Sequence, residues 1–409
     1  MESFIGVSGQ VEGYPQLPDG EFLPPMEMNC VEKDVKKAIE SGFPGRNMTI
    51  GRTAHLTVPH NGRGNCQFRN RCMRGCPYGA YFSSQSSTLP AARATGNLTI
   101  RPHSVVSEII YDKDSKTAKG VRIKDGQSGE WMEFYAKVVF LCASALPSTQ
   151  ILMQSANDIW PEGLGSSSGE LGHNIMDHHL GVGAYGWTEN YEEDYYKGRR
   201  PNGIYVPRFR NVGSDKAEDF IRGYGYQGGA GREGWGRMSP ELATLNGDAL
   251  KQELMQPGTW RMNLSGFGEM LPYHDNKMTL NRDLLDKDGM PTLTFDVEYK
   301  ENERNMRKDM AARAAEMLEA SGMKDVQTYD RTDKAPGIGI HEMGSARMGD
   351  DPKKSVVNRF NQVHDCKNVY MTDGAFMTSA ACQNPSLTYM AFTARAVDHA
   401  VSELNKQNL

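Results

Sequence analysis

The segment from Asn384 onward carries the most restrictive pattern in the chain, because its apolar residues recur every three or four positions. These residues are Leu387, Met390, Ala391, Ala394, Val397, Val401 and Leu404. This spacing predicts an α-helix with one buried face. Asn384 and Pro385 are typical of the Ncap and N1 positions, since asparagine can accept from a backbone amide and proline has no amide to leave unpaired. The partial positive charge of such a helix start favours negative charge beside it.

Two further segments precede this helix. Residues 341–349 form the sequence His-Glu-Met-Gly-Ser-Ala-Arg-Met-Gly, and Asp373-Gly374 lies between that loop and the helix. A single histidine is more often structural than catalytic, and an asparagine can simply cap a surface helix. The residues taken one by one therefore leave a structural and a catalytic interpretation open for both His341 and Asn384.

Taken in order, the three segments resemble the C-terminal signature of the glucose-methanol-choline (GMC) oxidoreductases. The pattern of these flavoenzymes is roughly His-x-x-Gly-Thr/Ser-x-x-Met-Gly, then Asp-Gly or Asp-Ala, then Asn-Pro-x-x-Thr. Glu342 stands where many members have proline. The resemblance implies that His341 accepts the hydroxyl proton of an alcohol while hydride passes to FAD, and that Asn384 holds the hydroxyl oxygen. An imidazole suits this proton transfer, because its ordinary pKa of about 6.5 allows it to be neutral before the step and charged after it.

Earlier segments extend the resemblance over most of the chain. Residues 98–110 resemble the strand pair near the adenine side of FAD, and residues 138–152 resemble the strand, turn and helix that close the first flavin segment. Residues 172–178 resemble Gly-Arg-Asn-Leu-x-Asp-His, with His173 in place of the arginine. The flavin contacts that the resemblance implies are Val106, Cys142, Ala143, Asp373, Gly374, Asn384, Pro385 and Ser386.

One family feature is missing from the sequence. Members normally begin with a strand, a Gly-x-Gly-x-x-Gly turn and a helix that hold the flavin pyrophosphate. Residues 6–10 and 225–229 contain glycines but lack both that spacing and that setting. Three explanations stay open: the chain is a fragment, a separate N-terminal flavin-binding polypeptide supplies the motif, or flavin is no longer bound.

Seven cysteines in a chain of this length do not indicate a disulfide framework. Cys66, Cys72 and Cys76 share one short glycine-containing loop. Three thiolates could hold an iron-sulfur cluster, although most clusters use four. The prediction is a structural loop and no metal site, and an iron-sulfur electron carrier is the alternative.

The length of 409 residues predicts two domains. The resemblance implies the fold class α/β with α+β. It comprises an incomplete, discontinuous FAD-binding domain, residues 1–168 and 339–409, and a substrate-binding domain, residues 169–338, with an antiparallel sheet. Residues 301–321 have the apolar spacing of a helix, and residues 295–299 alternate like a strand. Aromatic residues of the substrate domain suit either a sugar-stacking surface or a sheet core; they are Trp187, Tyr195, Tyr196, Tyr224, Tyr226 and Trp235.

On this resemblance the chain is an FAD-dependent oxidoreductase that oxidises a sugar, polyol or glycoside alcohol to a carbonyl. A net charge of -5 is too mild to indicate nucleic acid as a partner, and no apolar run is long enough to span a membrane. An electron-accepting subunit or cytochrome is an expected partner, and localisation stays open. The alternative is a truncated or partner-dependent subunit that is not catalytic.

Overall fold

The structure is a computed structural model, and it describes residues 1–69, 71–194, 201–234 and 240–409. Tyr195, Tyr196 and Trp235, for which both a sugar-stacking surface and a sheet core were left open, lie outside the described residues. The described helices are α1 (Glu2–Ile5), α2 (Cys30–Gly42), α3 (Thr88–Ala94), α4 (Ala145–Gln154), α5 (Pro240–Thr244), α6 (Gly247–Met255), α7 (Glu301–Ala320) and α8 (Ser386–Asn405), with single 3-10 turns at Cys72–Arg74 and Gly374–Phe376.

The strands form sheets that are almost entirely antiparallel. The described strands are β1 (Thr49–Ile50), β2 (Ser104–Asp112), β3 (Thr117–Asp125), β4 (Trp131–Tyr135), β5 (Val139–Leu141), β6 (Val182–Thr188), β7 (Ile204–Val206), β8 (Tyr224–Arg232), β9 (Trp260–Gly268), β10 (Lys277–Leu285), β11 (Pro291–Asp296), β12 (Lys324–Asp330) and β13 (Val369–Met371).

The chain divides into two compact units. Unit 1 comprises residues 1–98, 180–268 and 304–332, and unit 2 comprises residues 99–179, 269–303 and 333–409. The predicted mixed α/β fold with antiparallel sheets is confirmed. The compact units differ from the predicted domains, because residues 1–98 belong to the unit that contains the large sheet. The assignment of domains to cofactor and substrate stays a prediction.

Unit 1 is built on a six-stranded antiparallel sheet of order β1-β7-β8-β9-β6-β12. Strand β9 alternates strictly between buried and half-buried residues, as expected for a sheet with one face in the core. That core also receives one face of α2 and the apolar stripe of α7. Tyr224 and Tyr226 are fully buried in the core, so the sugar-stacking interpretation is wrong for these two residues.

Unit 2 contains a parallel pair, β5 and β13, a three-stranded sheet, β2-β3-β4, and the hairpin β10-β11. The hairpin turns at Gly289, whose φ of 79° suits glycine. The strand predicted over residues 295–299 is only partly present, because β11 ends at Asp296. Beyond it the Asn276 side chain takes over the pairing: its oxygen accepts from the Glu298 amide at 3.1 Å and its nitrogen donates to the Glu298 carbonyl at 3.2 Å.

The structure of α8 differs from the prediction in two respects. It begins at Ser386 with Pro385 at the N-cap, and no side chain caps it, so Asn384 is not the N-cap. Its buried positions are Ala396 and Ala400, whereas Val397 and Val401 are 43% and 50% exposed. Ala396 and Ala400 pack in one cluster with Tyr370, and with this face buried the valines of the expected stripe face solvent.

Candidate active site

The loop that carries His341 is held by one buried carboxylate. Asp177 accepts four backbone N–H groups, those of Gly337 at 3.0 Å, Gly339 at 2.8 Å, His341 at 3.0 Å and His178 at 2.7 Å. The adjacent bridge between Met176 and Met343, with two backbone hydrogen bonds of 2.9 Å, aligns the two segments. Hydrogen bonds at His341 itself and at Met343 therefore fix the backbone position of His341.

The backbone immediately before His341 is strained. Ile340 has a φ of 52°, a region that β-branched residues rarely adopt, and its side chain is exposed. Such strain persists where the surrounding contacts impose it, and it clusters at functional sites. The amides on either side of Ile340 both donate to Asp177, which explains how the strained residue is kept in place.

His341 contacts a second imidazole. The Nδ1 atoms of His341 and His178 lie 2.8 Å apart, and the two rings meet at 82°. His178 is fully buried, and its Nε2 lies 3.1 Å and 3.0 Å from the carbonyl oxygens of Ala380 and Ala381. Burial lowers the pKa of both histidines, and His178 lowers the pKa of His341 further, while Asp177 opposes that shift. Both imidazoles therefore favour the neutral form.

The other ring nitrogen of His341 faces Asn384. Asn384 Nδ2 lies 3.4 Å from His341 Nε2, immediately before the start of α8. The structure thus brings together the two residues that were predicted to act in catalysis, although they are 43 positions apart in the chain. A ring nitrogen beside an amide donor can accept a proton from a hydroxyl group whose oxygen the amide holds. The catalytic roles of the two residues stay a prediction.

Four of the predicted flavin contacts lie where the parallel strands end. Cys142 and Ala143 follow β5, and Asp373 and Gly374 follow β13, so all four lie at the carboxyl ends of paired strands. Asp373 is buried, which raises the pKa of its carboxyl, and it accepts from the Ser148 hydroxyl and from the Ala375 amide at 3.1 Å. The carboxyl ends of parallel strands are the usual ligand-binding edge of an open α/β sheet.

Gly374 is closely packed at this edge. A Cβ atom there would come within 2.4 Å of the Glu342 carbonyl oxygen, so a side chain would displace the loop next to His341. The remaining predicted contacts also belong to unit 2. Val106 is half-buried on β2, Pro385 is buried and Ser386 is exposed at the first turn of α8. Their roles in binding a cofactor stay predictions.

Asp177 and His178 had no role in the sequence analysis. They are the last two residues of the segment that resembles Gly-Arg-Asn-Leu-x-Asp-His. The sequence signal for a functional role was therefore the adjacent carboxylate and imidazole. What the sequence could not provide is the partner, because His178 and His341 are 163 positions apart.

The cysteine loop lies in unit 1. Cys66, Cys72 and Cys76 are free and half-buried. Across the described part of the chain, no group of three or more His, Cys, Asp or Glu side chains is arranged to hold a metal ion. The iron-sulfur alternative therefore gains no support from the described residues.

Unit 1 also contains a cavity of about 1750 Å³. Polar side chains of β8 and β9 contribute to its wall, among them Gln227, Asn263 and Ser265, together with Arg261. Apolar side chains such as Met26, Phe68 and Trp260 also line it, so the wall offers both hydrogen-bonding groups and apolar contact.

Comparisons with known proteins agree on one family. Models of the N-terminal and C-terminal parts of GMC oxidoreductases match residues 48–180 and 272–393. A 2-methyl-1,2-propanediol dehydrogenase of Mycolicibacterium austroafricanum is 29% identical over 97% of this chain and 71% of its own length. The fructose dehydrogenase large subunit of Gluconobacter japonicus is 27% identical over 86% of this chain and 62% of its own length.

Solved structures agree with the fold. Pyridoxine 4-oxidase from Mesorbium loti superposes with a TM-score of 0.57 at 17% identity, over 94% of this chain and 71% of that protein. The predicted family and its enzyme class, dehydrogenases and oxidases, are confirmed. In the described ranges, none of the helices combines the length and apolar character needed to cross a membrane.

Proposed function

This chain belongs to the GMC oxidoreductase family, and from that premise we propose that it oxidises an alcohol group of a polyol, sugar or glycoside to a carbonyl. The observation that carries the proposal is the approach of Asn384 Nδ2 to within 3.4 Å of His341 Nε2. A general base and a hydrogen-bond donor for the same oxygen are the two groups that this oxidation requires of the protein.

The proton transfer is assigned to His341. Its lowered pKa keeps the imidazole neutral at pH 7, so Nε2 can accept the proton of the substrate hydroxyl. The Asn384 amide donates to the same oxygen and stabilises the negative charge that develops as the proton leaves. The start of α8 adds partial positive charge close to that oxygen.

The residues of unit 2 fit FAD. The first turn of the 20-residue helix α8 has no side-chain cap, so its orphan amides are available to an electron-rich ligand. Asp373 and Gly374, with Cys142 and Ala143, form the edge of the parallel pair at which such ligands bind. We assign the cofactor to these residues, to Val106 and to the Asn384-Pro385-Ser386 segment. When bound, FAD supplies the two-electron acceptor that takes hydride from the carbinol carbon.

The substrate class follows from the relatives. Those named above act, by their names, on a diol and on a sugar, and another is named paromamine 6'-oxidase. We therefore assign a small polyhydroxylated substrate to this chain. The name of the fructose dehydrogenase large subunit also supports a partner subunit that accepts the electrons.

The test is turnover of a panel of diols and sugars by the purified chain supplied with FAD and a dye as electron acceptor. His341→Ala is expected to lower kcat/KM by about 10²–10⁴-fold while flavin absorbance is retained. His274→Ala, which removes an exposed histidine of the same unit, is the matched control and should have no effect. Turnover by His341→Ala near the wild-type level would refute the proposed mechanism. A chain that binds FAD but oxidises no alcohol would favour the non-catalytic subunit.

A further inference from the structure

We propose that Asp177 and His178 are positioning residues that hold His341 in the tautomer with its proton on Nδ1, which leaves Nε2 free of a proton. The kinetic consequence of this inference rests on the proposed function, whereas the tautomer itself does not. The segment that carries both residues has no other assigned role.

The proton positions follow from a chain of hydrogen bonds. His178 Nε2 lies 3.1 Å and 3.0 Å from two carbonyl oxygens, those of Ala380 and Ala381. A carbonyl oxygen can only accept, so His178 Nε2 must carry a proton. A neutral imidazole has one N–H, and His178 is fully buried, which favours its neutral form. His178 Nδ1 is therefore an acceptor.

The next bond determines the state of His341. His341 Nδ1 lies 2.8 Å from His178 Nδ1, a distance that requires one donor and one acceptor. Since His178 Nδ1 accepts, His341 Nδ1 must donate. The neutral ring of His341 then has its lone pair on Nε2, which faces the amide donor Asn384 Nδ2. Every bond from the Ala381 carbonyl to Asn384 is satisfied by this single arrangement of protons.

Asp177 contributes through the backbone. Its carboxylate accepts N–H groups from both His178 and His341, so it sets the two residues at a fixed spacing. A Cβ atom at Gly339 would lie 2.6 Å from Asp177 Oδ1, which shows how closely the loop wraps around this carboxylate. The pair differs from a serine-protease triad, in which the carboxylate contacts the imidazole of the base directly.

The tautomer decides whether His341 can act as a base. Without an acceptor at Nδ1, the ring also populates the form with a proton on Nε2, and that form has no lone pair toward the substrate. For metal-bound histidines, the neighbouring groups that fix the ring tautomer are typically worth about 10–100-fold in affinity or activity, and we expect an effect of that order here.

The experiment is nitrogen NMR of the full chain labelled with ¹⁵N-histidine, recorded without FAD. The resonances of His341 are identified by their loss in His341→Gln. The wild type should show a protonated Nδ1 and an unprotonated Nε2 at this residue. A proton on Nε2 in the wild type would overturn the proposal, and this reading needs no variant of His178 to fold.

Two variants of His178 then separate positioning from packing. His178→Phe keeps an aromatic ring at this position but has no acceptor, so the Nε2–H tautomer of His341 should become populated and kcat/KM should fall about 10–100-fold with KM nearly unchanged. His178→Asn places an amide oxygen near the former Nδ1, and it should restore both the tautomer and most of the activity. A His178→Phe variant that keeps the wild-type tautomer, or loses it without loss of kcat, would overturn the proposal. The expected tautomer in a chain that oxidises no alcohol would leave this inference standing and refute the proposed function.

Discussion

Helices α7 and α8 have the same length, 20 residues, but their apolar residues are used differently. The stripe of α7 is completely buried in the core of unit 1; it consists of Met306, Met310, Ala314, Met317 and Leu318. In α8 only two alanines are buried, and the start of the helix lies beside His341. The comparison indicates that α7 contributes to stability through burial, whereas the proposed function gives the first turn of α8 a role in chemistry.

The largest effect on stability is expected for a substitution in the buried stripe of α7. Met310 is fully buried and its methyl group packs so closely on Gly266 that a Cβ atom at that glycine would lie 2.4 Å from it. Met310→Ala should lower the free energy of unfolding by about 2–5 kcal/mol, because it removes buried surface and leaves a cavity. Urea unfolding measures the change. Activity per folded molecule should stay at the wild-type level, and a loss of activity without loss of stability would contradict the division between the helices.

The second prediction concerns a buried histidine of unit 1 and its effect on the pH dependence of stability. His55 stacks on Tyr81 at 4.7 Å, and burial lowers its pKa to about 4. The ordinary pKa of about 6.5 applies in the unfolded chain, which therefore binds more protons than the folded chain between pH 6.5 and 4. Stability should fall as pH falls through this window, by about 3 kcal/mol in total from His55.

The control is His55→Phe, which keeps an aromatic ring against Tyr81 and cannot titrate. The free energy of unfolding of both proteins is measured from pH 7 to pH 4. The difference between the two pH slopes isolates the contribution of His55 from those of the carboxylates and the other histidines. Parallel curves would show that folding does not lower the pKa of His55. The residues of unit 2 to which we assign catalysis are unchanged in this comparison, so turnover at pH 7 should be equal.

The third effect is at the start of α8. Asn384→Ala should lower kcat by about 100-fold, because it removes one donor to the oxygen that becomes negatively charged. The free energy of unfolding should change by no more than about 0.5 kcal/mol, since the side chain is exposed and does not cap the helix. Gln383→Ala, at the neighbouring exposed position, is the matched control for turnover. Equal kcat values for the two variants would remove Asn384 from the mechanism.

The sequence predicted α7 better than α8 for a physical reason. Every residue of the α7 stripe is buried as predicted, because large side chains at helical spacing leave one way to pack against a sheet. In α8 the periodicity also predicted a helix, but the small residues Ala396 and Ala400 are the ones that pack with Tyr370, so hydrophobicity alone selected the wrong face. Tertiary packing overrides a pattern when small residues allow a close approach.

The candidate site shows the same limit. The approach of His341 to Asn384 was predicted from a resemblance that carries long-range information, and the structure places the two residues together. The contact between His178 and His341 was not predicted, because nothing local to either residue indicates a partner 163 positions away. The proton arrangement needs the carbonyl groups of Ala380 and Ala381, which a sequence cannot position.

The smallest expected effect tests the exposed face of α8. Val401→Ala removes two methyl groups that lie largely in water, so the free energy of unfolding should change by no more than about 0.5 kcal/mol. Alanine also has a higher helix propensity than valine, which offsets part of any lost contact. Urea unfolding beside Met310→Ala gives the direct contrast between an exposed and a buried stripe. A loss above about 1 kcal/mol would mean that this valine is covered in solution, and α8 would then resemble α7.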